Sequence, residues 1–178
     1  MRAVGVRVNL EEAEKLKKEF VTKEDKILLK IKKEAGVNVD IFAARSIAKA
    51  FDKLKIKYPL TEKSKEPSFT ANWLLNCEFP IAKLIREARE VHKFHATFID
   101  SILKFQHNGR IHAEIHQLRG DGGGTVSGRL SYSNPNLQQV PARNKELGTK
   151  IRSLFKPESG LQWGSFDYSQ QEPRLVVH

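Results

Sequence analysis

At Asn108-Gly109 the spacing of apolar residues changes from a helical period to a strand period, and this switch limits what the chain can fold into. Upstream of it, apolar residues recur at helical spacing. Asn9 and Glu12 form a capping-box-like pair ahead of Leu10, Ala13, Leu16 and Phe20. Thr22 and Asp25 either restart that helix or lie within it as it runs on through Ile27, Leu28 and Ile31 to Gly36, which suits a C-cap. A second helix is predicted from about 43 to 54, and Thr70 caps a short one through Trp73 and Leu75. Pro80, as a first-turn proline, opens the longest stripe, from Ile81 to Leu103. His95 lies on that stripe, where a satisfied core histidine is the commoner state than a ligand.

Downstream, Arg110 to His116 alternates polar and apolar residues and reads as a half-buried strand entered from a turn. His112, Glu114 and His116 share one face of it. That face is either wet or a metal-ligand row, and no fourth ligand is evident for the second reading. Gly120 to Gly124 is flexible in composition and is not a phosphate loop, because no Gly-Lys-Ser/Thr follows. Near the end, Trp163 and Phe166 are strand-type aromatics, and Ser169 and Glu172 have capping-box spacing. A strand is therefore expected to stop at Asp167 and turn into a helix beginning near Ser169. Asp167 either caps the turn or aims its charge at a ligand. The fold class is α+β, with a helical part over 1–105 and the first antiparallel strands over 106–178.

The net charge is +10 with a pI near 9.7, and a polyanion such as nucleic acid accounts for that excess most simply. The opening helix mixes lysine with glutamate and reads as a solvated face. Six lysines (Lys49, Lys53, Lys55, Lys57, Lys63 and Lys65) crowd a helix end and the loop after it. They either complement a helix dipole or form a tip that touches phosphates. No apolar run approaches the roughly 18 residues of a membrane span, and the N-terminus has no signal-like apolar core. Cys77 has no partner for an internal disulfide, which fits a reducing compartment, so a cytoplasmic setting is expected.

Asp167-Tyr168-Ser169-Gln170-x-Glu172-x-Arg174 resembles motif A of the family A DNA polymerases. Thr125 to Ser131, with Gly128-Arg129-Leu130, followed by Pro135-Asn136-Leu137-Gln138-Gln139-Val140-Pro141, resembles the block that precedes motif A in that family. The likeness implies a helical thumb over 1–105, with a lysine-bearing tip from Pro59 to Ser68, and the N-terminal part of a palm over 106–178. It implies two-metal transfer of deoxynucleotides onto a primer hydroxyl. In that chemistry two ions about 3.5–4 Å apart stabilise the attacking and leaving oxygens, an arrangement for which polymerases are a standard case. Mg²⁺ would be the ion, with Asp167 as one of two carboxylates and the Tyr168 carbonyl beside it.

The resemblance also assigns partners and contacts. Arg129, Asn136, Gln138 and Gln139 would face primer–template DNA from the minor groove, and Lys55, Lys57, Lys63 and Lys65 its phosphates. Tyr168, Ser169, Gln170, Glu172 and Arg143 would contact the deoxynucleoside triphosphate, with Glu172 selecting against the ribose 2′-hydroxyl; Arg152 is a further phosphate candidate. Gln171 and Pro173 depart from the commonest family pattern, which has aliphatic residues there. No R-x-x-x-K…Y-G fingers motif and no His-Asp-Glu triplet occur in the sequence. The expectation is therefore a fragment, inactive alone, whose partners include the remaining fingers and palm of the same or a split polymerase. The alternative is a non-catalytic nucleic-acid-binding module.

Overall fold

The computed structural model describes residues 3–118, 124–140, 144 and 146–177. A helical layer comes first. Helix α1 (Leu10–Ala35) starts where the Asn9 side chain accepts from the Glu12 N–H at 3.1 Å, with Glu11 and Glu12 in its first turn and Lys32 and Lys33 in its last. It ends at Gly36, whose φ of 65° is left-handed and whose N–H returns to the Lys32 carbonyl. A Cβ there would also sit 2.7 Å from Lys53 Nζ, which donates to the Gly36 carbonyl. The helix does not restart at Thr22. That hydroxyl donates to the Lys18 carbonyl one turn back, so it is spent inside the helix rather than at a cap.

Helix α2 (Ala44–Lys53) and α3 (Ala71–Asn76) follow, the latter capped by Thr70 accepting from the Trp73 N–H. Phe51, Tyr58, Phe69 and Trp73 cluster with ring centroids 5.2–6.4 Å apart. They anchor the two ends of the lysine-bearing loop, whose two sides close through the Leu60↔Pro67 bridge and the Ser68 N–H to Pro59 carbonyl bond. Burial, and then the Asp52 carboxylate, hold the Tyr58 phenol above its ordinary range. Arg89 staples this region from behind, donating to the carbonyls of Ile41 and Phe69.

The stripe opened by Pro80 is not one α-helix. It is α4 (Pro80–His92), a π-helical stretch (Lys93–Ile99) and α5 (Asp100–Phe105) in series. No Pro or Gly in Lys93–Ile99 announces the change in winding. The π stretch buries Phe94, His95, Phe98 and Ile99, so the widened turns still serve the core. Helix α1 packs mainly on α4 and on this stretch.

A four-stranded antiparallel sheet has the order β2-β3-β1-β6, built from β1 (Val6–Val8), β2 (Gln106–His107), β3 (Arg110–Ile111) and β6 (Phe155–Lys156). The Asn108-Gly109 turn is a hairpin with both central residues at positive φ, 49° and 72°. The expected strand over 110–116 divides. Arg110–Ile111 stays in this sheet, and β4 (Glu114–His116) pairs with β5 (Ser131–Ser133) in a separate ribbon. Helix α6 (Leu147–Arg152) then leads into β6. Ile111, Ala113, Leu147, Ile151 and Leu154 join the same buried cluster as the helices.

The strand expected at Trp163 to Phe166 does not form. Residues 161–168 have no regular structure, and Phe166 is 97% exposed. Aromatic strand preference reflects packing on a pleated surface, and among the described residues this stretch pairs with no strand. Helix α7 (Gln171–Val177) closes the chain, exposed on all sides.

Phe51 is fully buried at the centre of the aromatic cluster. Phe51→Ala is expected to cost about 3–5 kcal/mol in urea unfolding, the range for truncating a core aromatic. A loss below about 1 kcal/mol would show that the cluster does not hold the loop base.

Candidate nucleic-acid interface

The block that precedes Asp167 in sequence is held locally. Thr125 Oγ1 donates to the Arg129 carbonyl at 2.6 Å across a turn centred on Gly128. Strand β5 then crosses to β4. Ser133 Oγ lies 2.7 Å from His116 Nε2 and donates to Glu114 Oε2, which also accepts from Asn134 Nδ2. Glu114 and His116 are thus spent on a polar ribbon face, and no three-ligand metal group forms around them among the described residues. Asn136 caps the 3₁₀ turn Leu137–Gln139 by accepting from the Gln138 N–H. Gln138 Nε2 donates to the Leu130 carbonyl at 2.8 Å, which ties that turn to the Arg129 segment. Gln139 is exposed.

The turn before α7 differs from the capping box that spacing predicts. Gln170 takes a φ of 53°, the helix begins at Gln171, and the Arg174 N–H bonds back to the Gln170 carbonyl. Pro173 falls in the first turn, where a missing N–H costs least. Glu172 does not reach back toward Ser169. Its carboxylate instead accepts from the Arg129 guanidinium, so the two motifs meet in one exposed ion pair. Asp167, Tyr168 and Ser169 are exposed on the unpaired stretch and the turn beside this pair.

Of the basic residues, Lys55, Lys57, Lys63 and Lys65 are all exposed on the loop after α2, while Lys53 is turned back onto the end of α1. Arg152 donates to the Val140 carbonyl. Arg143 lies outside the described residues. Among the described residues, no helix is long and apolar enough to cross a membrane. Helical periodicity marks His95 but neither Glu24 nor His92, which the structure brings against it. The His92-x-x-His95 spacing was the available signal.

An α+β fold with these motifs in this order is that of a nucleic-acid polymerase segment. The chain belongs to DNA polymerase family A, whose family model matches residues 10–178. It is 36% identical to the DNA-directed DNA polymerase of Pseudomonas phage M6, aligning over 100% of this chain and 28% of that protein. It is 34% identical to DNA polymerase I of Chloroflexus aurantiacus, over 100% of this chain and 19% of that one. Among solved structures it resembles the POL domain of Pol1 from M. smegmatis, in complex with DNA primer-template and dNTP. That likeness has a TM-score of 0.72 and 26% identity, and covers 85% of this chain and 26% of that one. The chain spans less than a third of the length of these relatives.

Arg129 and Glu172 are 69% and 75% exposed, so their pairing is that of a screened surface bridge. A double-mutant cycle with Arg129→Ala and Glu172→Ala is expected to give a coupling of about 0.2–1 kcal/mol in chemical unfolding, shrinking as salt rises. Coupling above about 2 kcal/mol would mean that the pair is a structural clamp.

Proposed function

We propose that this chain is the thumb and the first palm segment of a DNA-directed DNA polymerase that extends a primer with deoxynucleoside triphosphates. The observation that carries the reading is the family match running through both motifs, from residue 10 to 178. The division into a thumb over 1–105 and a palm part over 106–178 belongs to this proposal, with β1 contributing a palm strand from the N-terminal side. The surrounding fingers and remaining palm complete the site.

The roles follow from charge and position. Lys55, Lys57, Lys63 and Lys65 lie on a loop held at its base by the aromatic cluster, so their ammonium groups are presented to a phosphate backbone from a fixed platform. Arg129 donates to the minor-groove edge of the primer-terminal pair, where N3 of purines and O2 of pyrimidines accept at similar positions. Asn136 and Gln138 hold that segment in place while Gln139 offers a further amide. Tyr168, Ser169 and Gln170 line the incoming nucleotide, Arg143 faces its phosphates, and Glu172 fills the space beside C2′.

Asp167 and the neighbouring Tyr168 carbonyl offer hard oxygen donors at an exposed turn, a donor set that fits Mg²⁺ but needs a second carboxylate and substrate phosphates to complete it. When bound, the ions supply charge stabilisation for the attacking and leaving oxygens. Arg129 and Glu172 neutralise each other in this exposed pair. Because that pair is exposed and weak, a primer terminus and a nucleotide sugar can replace it at little cost.

The test is a graft in which this chain replaces the matching stretch of the Pseudomonas phage M6 protein. The 178-residue chain alone is expected to extend no primer. The graft is expected to extend one with Mg²⁺ and all four deoxynucleotides, and Asp167→Ala to return it to the no-protein background. In the graft, Glu172→Ala is expected to raise the ribo/deoxy ratio of kcat/KM values by at least about tenfold, or roughly 1.4 kcal/mol. A folded graft that binds DNA yet extends nothing would favour a non-catalytic binding module.

The isolated chain is expected to bind primer–template DNA weakly and without sequence preference. Its affinity should fall with a log–log salt slope of roughly −0.9 per neutralised phosphate. Replacing Lys55, Lys57, Lys63 and Lys65 with Ala should flatten the slope in an anisotropy titration. An unchanged slope would make the loop only a solvated surface.

A further inference from the structure

Away from the motifs, Glu24 of α1 meets His92 at the end of α4 and His95 in the π-helical stretch. Glu24 Oε1 lies 3.0 Å from His92 Nδ1, and Oε2 lies 2.5 Å from His95 Nε2. One ligand atom from each residue lies within 4.8 Å of the other two. The side chains of Glu24 and His95 are only 12% and 10% exposed, and His92 is 38% exposed. The two imidazoles meet edge to face at 4.9 Å, and the Phe42 ring packs on His92.

We propose that Glu24, His92 and His95 form a transition-metal site, most suited to Zn²⁺, that ties α1 to the junction of α4 and the π stretch. This goes beyond the polymerase reading and does not depend on it. Two imidazole nitrogens and one carboxylate are the donor set of an open zinc site, which keeps its fourth position for water. The partial exposure of His92 leaves solvent access for that fourth ligand. Ligand distances of about 2.0–2.2 Å at tetrahedral angles separate donor atoms by roughly 3.4 Å. The two short nitrogen–oxygen pairs, which use different oxygens of Glu24, therefore need to open by less than about 1 Å, and the other donor pairs, which lie within 4.8 Å, to close toward that spacing. Imidazole donors favour Zn²⁺, Co²⁺ or Ni²⁺ over Mg²⁺, so this site is chemically distinct from one built of oxygen atoms. The π-helical winding belongs to the site as well, because π turns inserted into α-helices often mark functional positions. The two histidines straddle its start, one on each side.

The test uses the metal-free 178-residue chain titrated with Zn²⁺ in a chelator-competition assay. One Zn²⁺ per chain is expected, with a rise of several degrees in Tm that Mg²⁺ does not reproduce. Co²⁺ is expected to give visible bands of four-coordinate intensity. His92→Ala and Glu24→Gln should each weaken Zn²⁺ binding at least about tenfold. His92 is the most exposed of the three, so its variant, checked by circular dichroism, keeps the test valid should His95→Ala fail to fold. Absence of Zn²⁺ binding, or binding that His92→Ala and Glu24→Gln leave unchanged, would overturn the proposal and leave Glu24 as a hydrogen-bond acceptor for two histidines.

Discussion

The contact of α1 with α4 and the π stretch is the interaction on which the rest of the chain depends. Ala13, Leu16, Phe20, Ile27 and Ile31 from one side, and Ile81, Ile85, Ala88, Val91 and Phe94 from the other, are removed from water along it. At about 25 cal/mol per Å² of apolar surface, burial of that kind outweighs any of the exposed ion pairs. It also fixes both ends of the helical layer. The start of α1 is tied to the sheet by the Asn9 N–H bonding to the Leu154 carbonyl, and the end of α5 runs directly into β2. The lysine-bearing loop is attached to the same body through its aromatic base and through Arg89. Its charges are therefore carried on a fixed platform, although no lysine on it is buried.

What could be read from the sequence was what local chemistry determines. The Asn9 and Thr70 caps, the Gly36 stop, the Pro80 start and the Asn108-Gly109 hairpin each rest on atoms within a few residues, and each is found. What could not be read depends on distant partners. Strand β1 is only Val6–Val8 and owes its existence to β3 and β6, more than a hundred residues away. Strand 110–116 breaks because its two halves find different partners, which a period of two cannot show. The π stretch has no sequence marker. Trp163 and Phe166 carry strand preference but find no ladder, so the preference goes unused.

The same distinction applies to the candidate site. The motif residues were legible as a linear pattern, whereas their mutual geometry was not. Ser169 and Glu172 have the spacing of a capping box, yet a left-handed Gln170 moves the helix start and frees the Glu172 side chain. Glu24 is 68 and 71 positions from the two histidines it meets, beyond any spacing rule.

The Arg129–Glu172 pair connects this geometry to the proposed chemistry. A buried pair would carry a large desolvation cost and, once formed, would resist separation. An exposed pair is close to neutral in free energy, so both residues stay oriented without being committed. Each of the two motifs contributes one partner, and the block carrying Arg129 is itself held by the Gln138 and Thr125 hydrogen bonds. Helix α7, by contrast, buries nothing. The ion pair therefore gives a helix with no buried residue a charged contact to the body, and its weakness lets a stronger set of contacts replace it. In the proposed role, a base-edge acceptor arriving at Arg129 would compete directly with Glu172 for the guanidinium. Occupancy of the one residue would in this way release the other.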